Sequence, residues 1–183
     1  LGVLAGDIMK AAGDQQRDFV GVGIFWGEGY TVQTLDENNQ PVDAYVETSR
    51  DVLEPTGVTA TVRIRGADIP ITAYRVTAFG SAPLYLLEPI DPADRWISRR
   101  LYEGDGDHRV AQELLLGVGG LRILRALQLS IATYHFNEGH ALFAGLELVS
   151  EAMGRGRSFD EARAEVKQQV VFTTHTPVPA GNE

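Results

Sequence analysis

Seven consecutive residues, FVGVGIF at 19–25, contain no polar side chain and stop at the turn residues of GEGY. A strand with one solvated face alternates apolar with polar. An unbroken short run instead fits a strand buried on both faces, as parallel strands in wound α/β sheets are. Just upstream, Leu4, Ile8, Ala11 and Ala12 recur at helical spacing, which predicts a helix over 3–13 ending near Gly13. Helix then buried strand is one half of a βαβ unit. The same alternation returns from Arg109. Val110, Leu114, Leu121 and Leu124 mark one face of a long helix, RVAQELLLGVGGLRILRAL, and the strand LSIATY follows. Asn137 is placed to N-cap a helix in EGHALFAGLELVSEAM, and the turn GRGR follows it. Ser158 and Glu161 then form a capping box before a helix that runs into the strand QVVFTT.

Between these stretches the pattern changes. TVQTLD, VTATVRIR, PITAYRVTAF and PLYLLE alternate with period two and are separated by ENNQ, RGAD and GSA, which are turn compositions. The expected architecture is therefore α/β: a Rossmann-like wound parallel sheet with an inserted antiparallel meander over 31–88. A surface loop with one helical turn is expected over 89–108, and a βαβ core over 109–183. With 183 residues, 44% of them apolar, the chain suffices for one such core and is short for two. Gly117, Gly119 and Gly120 interrupt the long helix at a cost of up to about 1 kcal/mol each against alanine, which implies close packing against a sheet.

Several classes of function are excluded. The net charge is −9 and no basic run could follow a phosphate backbone, so nucleic acid is not an expected partner. No stretch reaches the roughly 20 apolar residues of a bilayer helix. Cysteine is absent, which removes thiolate nucleophiles and thiolate metal sites. No metal site is expected. His135 and His140 are five apart, which does not match the spacing of a zinc-protease helix, and neither a nucleophile elbow nor a phosphate-binding P-loop occurs. GVGIFWG is followed by more strand-like sequence, unlike a dinucleotide fingerprint, and Asp105 and Asp107 in the acidic EGDGD are too close to act as a hydrolase pair.

Wound parallel sheets bind ligands outside the carboxyl ends of their strands. Three segments should arrive at that edge: GIFWGEGY, YHFNEGH and THTPVPAG. If LSIATY and QVVFTT are parallel neighbours, His135, Asn137, Glu138, His140 and His175 come within reach of one pocket. His135, last in an apolar strand, reads as a hydrogen-bonded structural histidine, and Asn137 as a cap. His140 suits a structural or a pocket role equally. His175 stands in a stiff polar loop with Thr173, Thr174, Thr176, Pro177 and Pro179, which suits ligand placement.

The stretches LGVLAGDIMKAAGD, LYLLEP, RLYEGDGDHRVAQELLLGVGG, HFNEGHALF and VVFTTHTPVPAGNE, in that order, resemble the amino-terminal domain of bacterial α-glucan (glycogen, starch or maltodextrin) phosphorylases of the short, unregulated kind. The resemblance runs from the first residue to the last, with gaps in the meander. It implies half of a two-domain GT-B-like glycosyltransferase, with pyridoxal phosphate held by a lysine of the carboxyl-terminal domain and its phosphate doing the acid/base work. The implied reaction cuts an α-1,4-glucan with inorganic phosphate and releases glucose 1-phosphate. Leu1 and Gly2 match the end of a glycine-rich turn beside glucose and the cofactor phosphate. Asp105 matches an aspartate of a gate loop, which makes 89–108 gate-like. Gly106 stands where the long enzymes often carry asparagine. His175 matches a histidine touching the glucosyl unit by carbonyl and ring, and His140 one in the cleft wall; with Asn137 they would form a sugar-handling rim. Lys10 and Lys167 match no cofactor lysine.

The chain, which starts at Leu1 without an initiator methionine, is thus expected to be a piece of a larger cytoplasmic protein, with a homodimer possible at full length. Its partners would be the missing carboxyl-terminal domain, glucan and phosphate, and it should be inactive alone. The alternatives are a non-catalytic glucan-binding or regulatory domain, or a glycosyltransferase using a nucleotide sugar.

Overall fold

The structure, a computed structural model, describes residues 2–101, 103, 104 and 106–175. The first helix, α1 (Gly2–Asp14), lies one residue beyond each end of the expected span. Next come β1 (Gly21–Ile24), the short strands β2 (Val32–Leu35) and β3 (Pro41–Ala44), and the long strands β4 (Glu54–Ile64) and β5 (Ala67–Val76). After β6 (Leu84–Pro89), a 3₁₀ segment Pro92–Ser98 leads to α2 (Gly106–Leu114) and α3 (Gly120–Ala126), joined by a π turn over Leu115–Gly119. The chain continues with β7 (Tyr134–Asn137), α4 (Leu142–Gly154), α5 (Phe159–Gln169) and β8 (Val170–Thr173).

The fold is α/β, built on a four-stranded mixed sheet of order β1-β6-β5-β4. β1 runs parallel to β6, with Ile24 opposite Leu87, whereas β5 is antiparallel to both β6 and β4. The antiparallel strands are therefore not set apart from the parallel part, as the sequence pattern suggested. PLYLLE belongs to both, because β6 pairs with β1 on one edge and β5 on the other. Its burial explains this: Leu87 has no exposed surface, and Tyr85 and Glu88 are buried too. Period-two reading detects a hairpin neighbour but not a partner 63 residues upstream, where Gly21 stands opposite Leu84. β7 and β8 form a separate parallel pair with α4 and α5 in the crossover, as expected, but the first strand is Tyr134–Asn137 and keeps only the tyrosine of the expected LSIATY.

β2 and β3 form a hairpin of their own, with Val32, Leu35 and Val42 all more than 40% exposed. The segment 89–108 is also more embedded than a surface loop: Asp91 caps the 3₁₀ segment through Ala93 N–H at 2.9 Å, and Ile97 and Ser98 are buried.

Among the described residues two large apolar clusters fill most of the interior, and a small third one packs Met9 and Ala12 of α1 against Ala82. One of the large pair packs Val62, Ile64, Ile71, Leu87 and Ile97 of the mixed-sheet side against Leu115 and Ile123. The other packs Leu121 and Leu124 against Tyr134, Phe136, Leu148 and Val166. Each fully buried aliphatic side chain contributes about 1.5–3 kcal/mol. The helical stretch from α2 to α3 belongs to both large clusters, and its glycines explain how it can. A Cβ on Gly117 would stand 2.7 Å from the backbone nitrogen of Ala144 in α4. One on Gly119 would stand 2.7 Å from Ile71 Cδ1 of the sheet, and one on Gly120 would stand 3.0 Å from Val22 of β1.

The capping box at α5 is formed in both directions: Ser158 N–H donates to Glu161 Oε2 at 2.9 Å, and Glu161 N–H to Ser158 Oγ at 3.4 Å. The Ser158 backbone N–H, followed by its hydroxyl, holds the Glu161 carboxyl below its ordinary value.

Substitutions at two glycines test the packing. Gly117→Ala should destabilise the fold by about 1–3 kcal/mol through overpacking. Gly6→Ala in α1, where a Cβ meets nothing within 4 Å, should stabilise by about 0.5–1 kcal/mol; urea unfolding measures both. Because the folded-state affinity of Glu161 for a proton is depressed, its support of α5 is complete above the unfolded carboxylate value and is lost as pH falls through the folded one. Amide exchange across 159–162 should accelerate over that acid window, and Glu161→Gln should abolish the dependence.

Candidate functional site

β7 and β8 are parallel and in register, Tyr134 with Val170 through Asn137 with Thr173. Alternation along each strand turns Phe136 and Phe172 toward α4 and α5 and leaves His135, Asn137, Val171 and Thr173 on the opposite face. That face carries two cross-strand hydrogen bonds. His135 Nε2 and Thr173 Oγ1 lie 2.6 Å apart, which fits the structural histidine expected there. One step further along, His175 Nε2 lies 2.6 Å from Asn137 Oδ1. With an amide oxygen as acceptor, the imidazole carries its proton on Nε2.

Asn137 thus uses its side chain on His175 and does not cap α4, contrary to the sequence reading. A 3₁₀ turn, Gly139–Ala141, intervenes, and α4 begins after Ala141 with no side-chain cap. Between strand and turn stands Glu138, at φ 62° and ψ −173° and only 5% exposed. Its N–H donates to the Thr173 carbonyl at 2.8 Å. Its carboxylate accepts from Thr174 Oγ1 at 3.3 Å and from the backbone N–H of His175. Sequence reasoning had placed Glu138 near the pocket without a role; an acidic residue followed by glycine at a strand end is the signal it offered.

His140 turns elsewhere. Its Nδ1 lies 3.8 Å from Glu113 Oε1 in α2, the oxygen that also accepts from Arg109 at 3.2 Å. The structure therefore brings Asn137, Glu138 and His175 together and leaves His140 facing α2. Gly2 opens α1. Leu1 and Asp105 lie outside the described residues.

The segment after β1 ends at the same edge of the mixed sheet as β6. Gly27 donates to Ser98 O and accepts from Thr48 N–H, Glu28 pairs with Arg100, and the Arg100 guanidinium lies 3.8 Å over the Tyr45 ring. A buried carboxylate, Glu88, stands at the end of β6. Arg50 grips it with both terminal nitrogens, at 2.5 and 3.1 Å, Arg95 approaches to 3.5 Å, and Tyr74 Oη to 3.4 Å. The pairing holds Arg50 above its ordinary proton affinity. An acidic residue inside the apolar LYLLEP was the sequence's signal for such a partner.

A groove of about 570 Å³ lies between α4, α5 and the strand pair, lined by Phe136, Leu146, Val149, Val166 and Phe172. It is apolar and on the far side of the strands from Asn137 and His175, so it is a poor place for a sugar.

No protein-family model matches the chain. A maltodextrin phosphorylase of Thermococcus litoralis is 35% identical over 195 aligned residues, spanning all of this chain and 23% of that protein. A glycogen phosphorylase of Mycobacterium tuberculosis is 36% identical over 199, spanning 99% of this chain and 23% of its own length. The chain is a relative of the glycogen and maltodextrin phosphorylases. A glycogen phosphorylase of Aquifex aeolicus agrees, at 32% identity over 97% of this chain. The chain spans about a quarter of the length of these phosphorylases. Among solved structures, the catalytic domain of starch synthase IV from Arabidopsis thaliana bound to ADP and acarbose superposes on 53% of this chain and 20% of its own. At 15% identity and a TM-score of 0.42, that likeness carries no argument.

For this phosphorylase relative, unfolding of the Asn137→Ala and His175→Ala variants and their combination should reveal a coupling of about 0.5–1.5 kcal/mol. Pairing Asn137→Ala with His140→Ala should be additive to within about 0.5 kcal/mol. A vanishing first coupling would remove the contact on which the site rests.

Proposed function

We propose that the chain is part of an α-1,4-glucan phosphorylase that releases glucose 1-phosphate with inorganic phosphate, and that it supplies one wall of the glucosyl site. The reading is supported by identity of 35–36% to phosphorylases along essentially the whole chain. The observation that carries the site is the contact between Asn137 and His175 at the shared carboxyl end of two parallel strands. A glucosyl group gains positive charge as its bond to the leaving oxygen breaks. Carbonyl and amide dipoles already fixed in place stabilise that charge without reorganising. In this reading His175 presents its carbonyl and ring to the sugar, and Asn137 holds the ring at its angle. Leu1, Gly2 and Asp105 would complete the wall, and His140, turned toward Glu113 of α2, would make no direct contact with the sugar.

Pyridoxal phosphate supplies acid/base chemistry through its phosphate when bound in such enzymes. The residues of this chain do not fit as its anchor. Lys10, in α1, donates to the Phe79 carbonyl at 3.3 Å, and Lys167, in α5, borders the apolar groove. The cofactor and the groups that hold phosphate are therefore assigned to polypeptide outside residues 1–183. A cytoplasmic location belongs to the same proposal; among the described residues no helix is long and apolar enough to cross a membrane.

The full-length protein, given maltodextrin and inorganic phosphate, should release glucose 1-phosphate, and a nucleotide-sugar donor should not replace phosphate. Residues 1–183 alone should be inactive. His175→Ala in the full-length protein should lower kcat/KM by about 10²–10³-fold, and a full-length protein that binds glucan without phosphorolysis would point to a non-catalytic domain.

A further inference from the structure

Glu138 occupies a backbone conformation, φ 62° and ψ −173°, that is essentially reserved for glycine and costs of order 1–3 kcal/mol for other residues. The next residue is a glycine, so nothing in the local sequence avoids that residue type. Glycine at 138 would relieve the strain at once, and what it would lose is the carboxylate. That carboxylate is buried, and it accepts from Thr174 Oγ1 and from the N–H of His175. Tying the two strands together does not require it, because the ladder already joins Asn137 to Thr173, and the backbone N–H of Glu138 extends it to the Thr173 carbonyl. The side chain acts one step later, on the residues that follow the strand.

Two neighbouring residues of β7 therefore hold one residue beyond β8 by different handles: Asn137 takes the His175 ring and Glu138 takes its backbone. Fixing the N–H fixes the plane of the 174–175 peptide, and with it the direction in which the ring leaves the backbone. We propose that Glu138 is a positioning residue for glucosyl transfer: it locks the His175 backbone so that its ring and the adjoining main chain meet the sugar in one orientation. This rests on the phosphorylase reading above. It adds a residue that touches no substrate and acts through His175. Small displacements of such a group cost large factors in rate, because the reacting geometry is lost while binding elsewhere persists.

The test uses the full-length protein with Glu138→Gly and Glu138→Gln, read by amide hydrogen exchange at 174–175 and by steady-state phosphorolysis of maltodextrin. Glu138→Gly removes strain along with the carboxylate, so folding is preserved. Exchange should quicken, and kcat should fall on the order of tenfold to a hundredfold, with KM for phosphate altered by less than about twofold. Glu138→Gln keeps an acceptor for the His175 N–H and should restore most of both. Unchanged exchange in Glu138→Gly would overturn the clamp, and quickened exchange with undiminished kcat would reduce it to a structural link. A Gln variant as impaired as Gly would show that charge, and not the hydrogen bond, is what matters. A wild-type protein without phosphorolysis would defeat the phosphorylase reading and the positioning role with it, while the exchange measurement would still decide whether the clamp exists.

Discussion

The close approach of the α2–α3 helical stretch to its neighbours on two sides holds this structure together. A helix carrying side chains at 117, 119 and 120 would be pushed away from α4, from the mixed sheet and from β1. With glycine at those positions it serves as the common wall of both large apolar clusters, and the two sheets, which share no strand pairing among the described residues, are joined through it. The π turn falls on this same stretch. Arg122 adds a polar tie between the halves, donating to the Thr61 carbonyl of β4 and to Glu147 of α4, both at 2.6 Å. Exposed pairs of this kind contribute little individually; the packing decides the arrangement.

Seating α4 also seats the strand that precedes it. Tyr134 and Phe136 are buried on the helix side of β7, so the alternating residues must face away, and the exposure of His135 and Asn137 on the other face is a consequence of burying those two aromatics. The candidate site is thus an outcome of core packing as much as of its own hydrogen bonds. Its chemistry is confined to the few residues where the strands end, and the large apolar groove on the other side belongs to a different kind of surface.

Much of this was legible in the amino acids. The unbroken run of β1, the presence of the helices, the capping box at Ser158 and Glu161 and the parallel relation of β7 to β8 follow from periodicity and turn chemistry, and that topology brought Asn137 and His175 to one edge without pairing them. The apolar face read for α1 is buried only at Ala12: Leu4 and Ile8 are exposed, and Met9 is buried instead. The glycines in the helix were read as packing residues, and close contact with α4 on one side and the mixed sheet on the other bears this out. What escaped was non-local. β6 reads as the last strand of a meander because its hairpin neighbour is close in sequence, while its parallel partner is not. Asn137 is chemically suited to capping, and only the strand beside it reveals that its amide is engaged elsewhere. Glu138 was placed near the pocket, but its role was hidden for the same reason, since a glutamate at positive φ has no signature in composition. The burial of Ile97 and Ser98 depends on a sheet whose other members lie far away in the chain.

The β2–β3 hairpin stands apart from this economy. Its strands pair with each other, most of its side chains are in water, and none of the apolar clusters includes it. Two strands in isolation are marginal in water, so its order depends on its stem, where Thr48 bonds Gly27 and Arg100 lies over Tyr45. With few buried contacts of its own, it is expected to open at a lower cost than the interior. Limited digestion by a protease should nick the chain between Asp36 and Gln40 first, and the two pieces would remain associated.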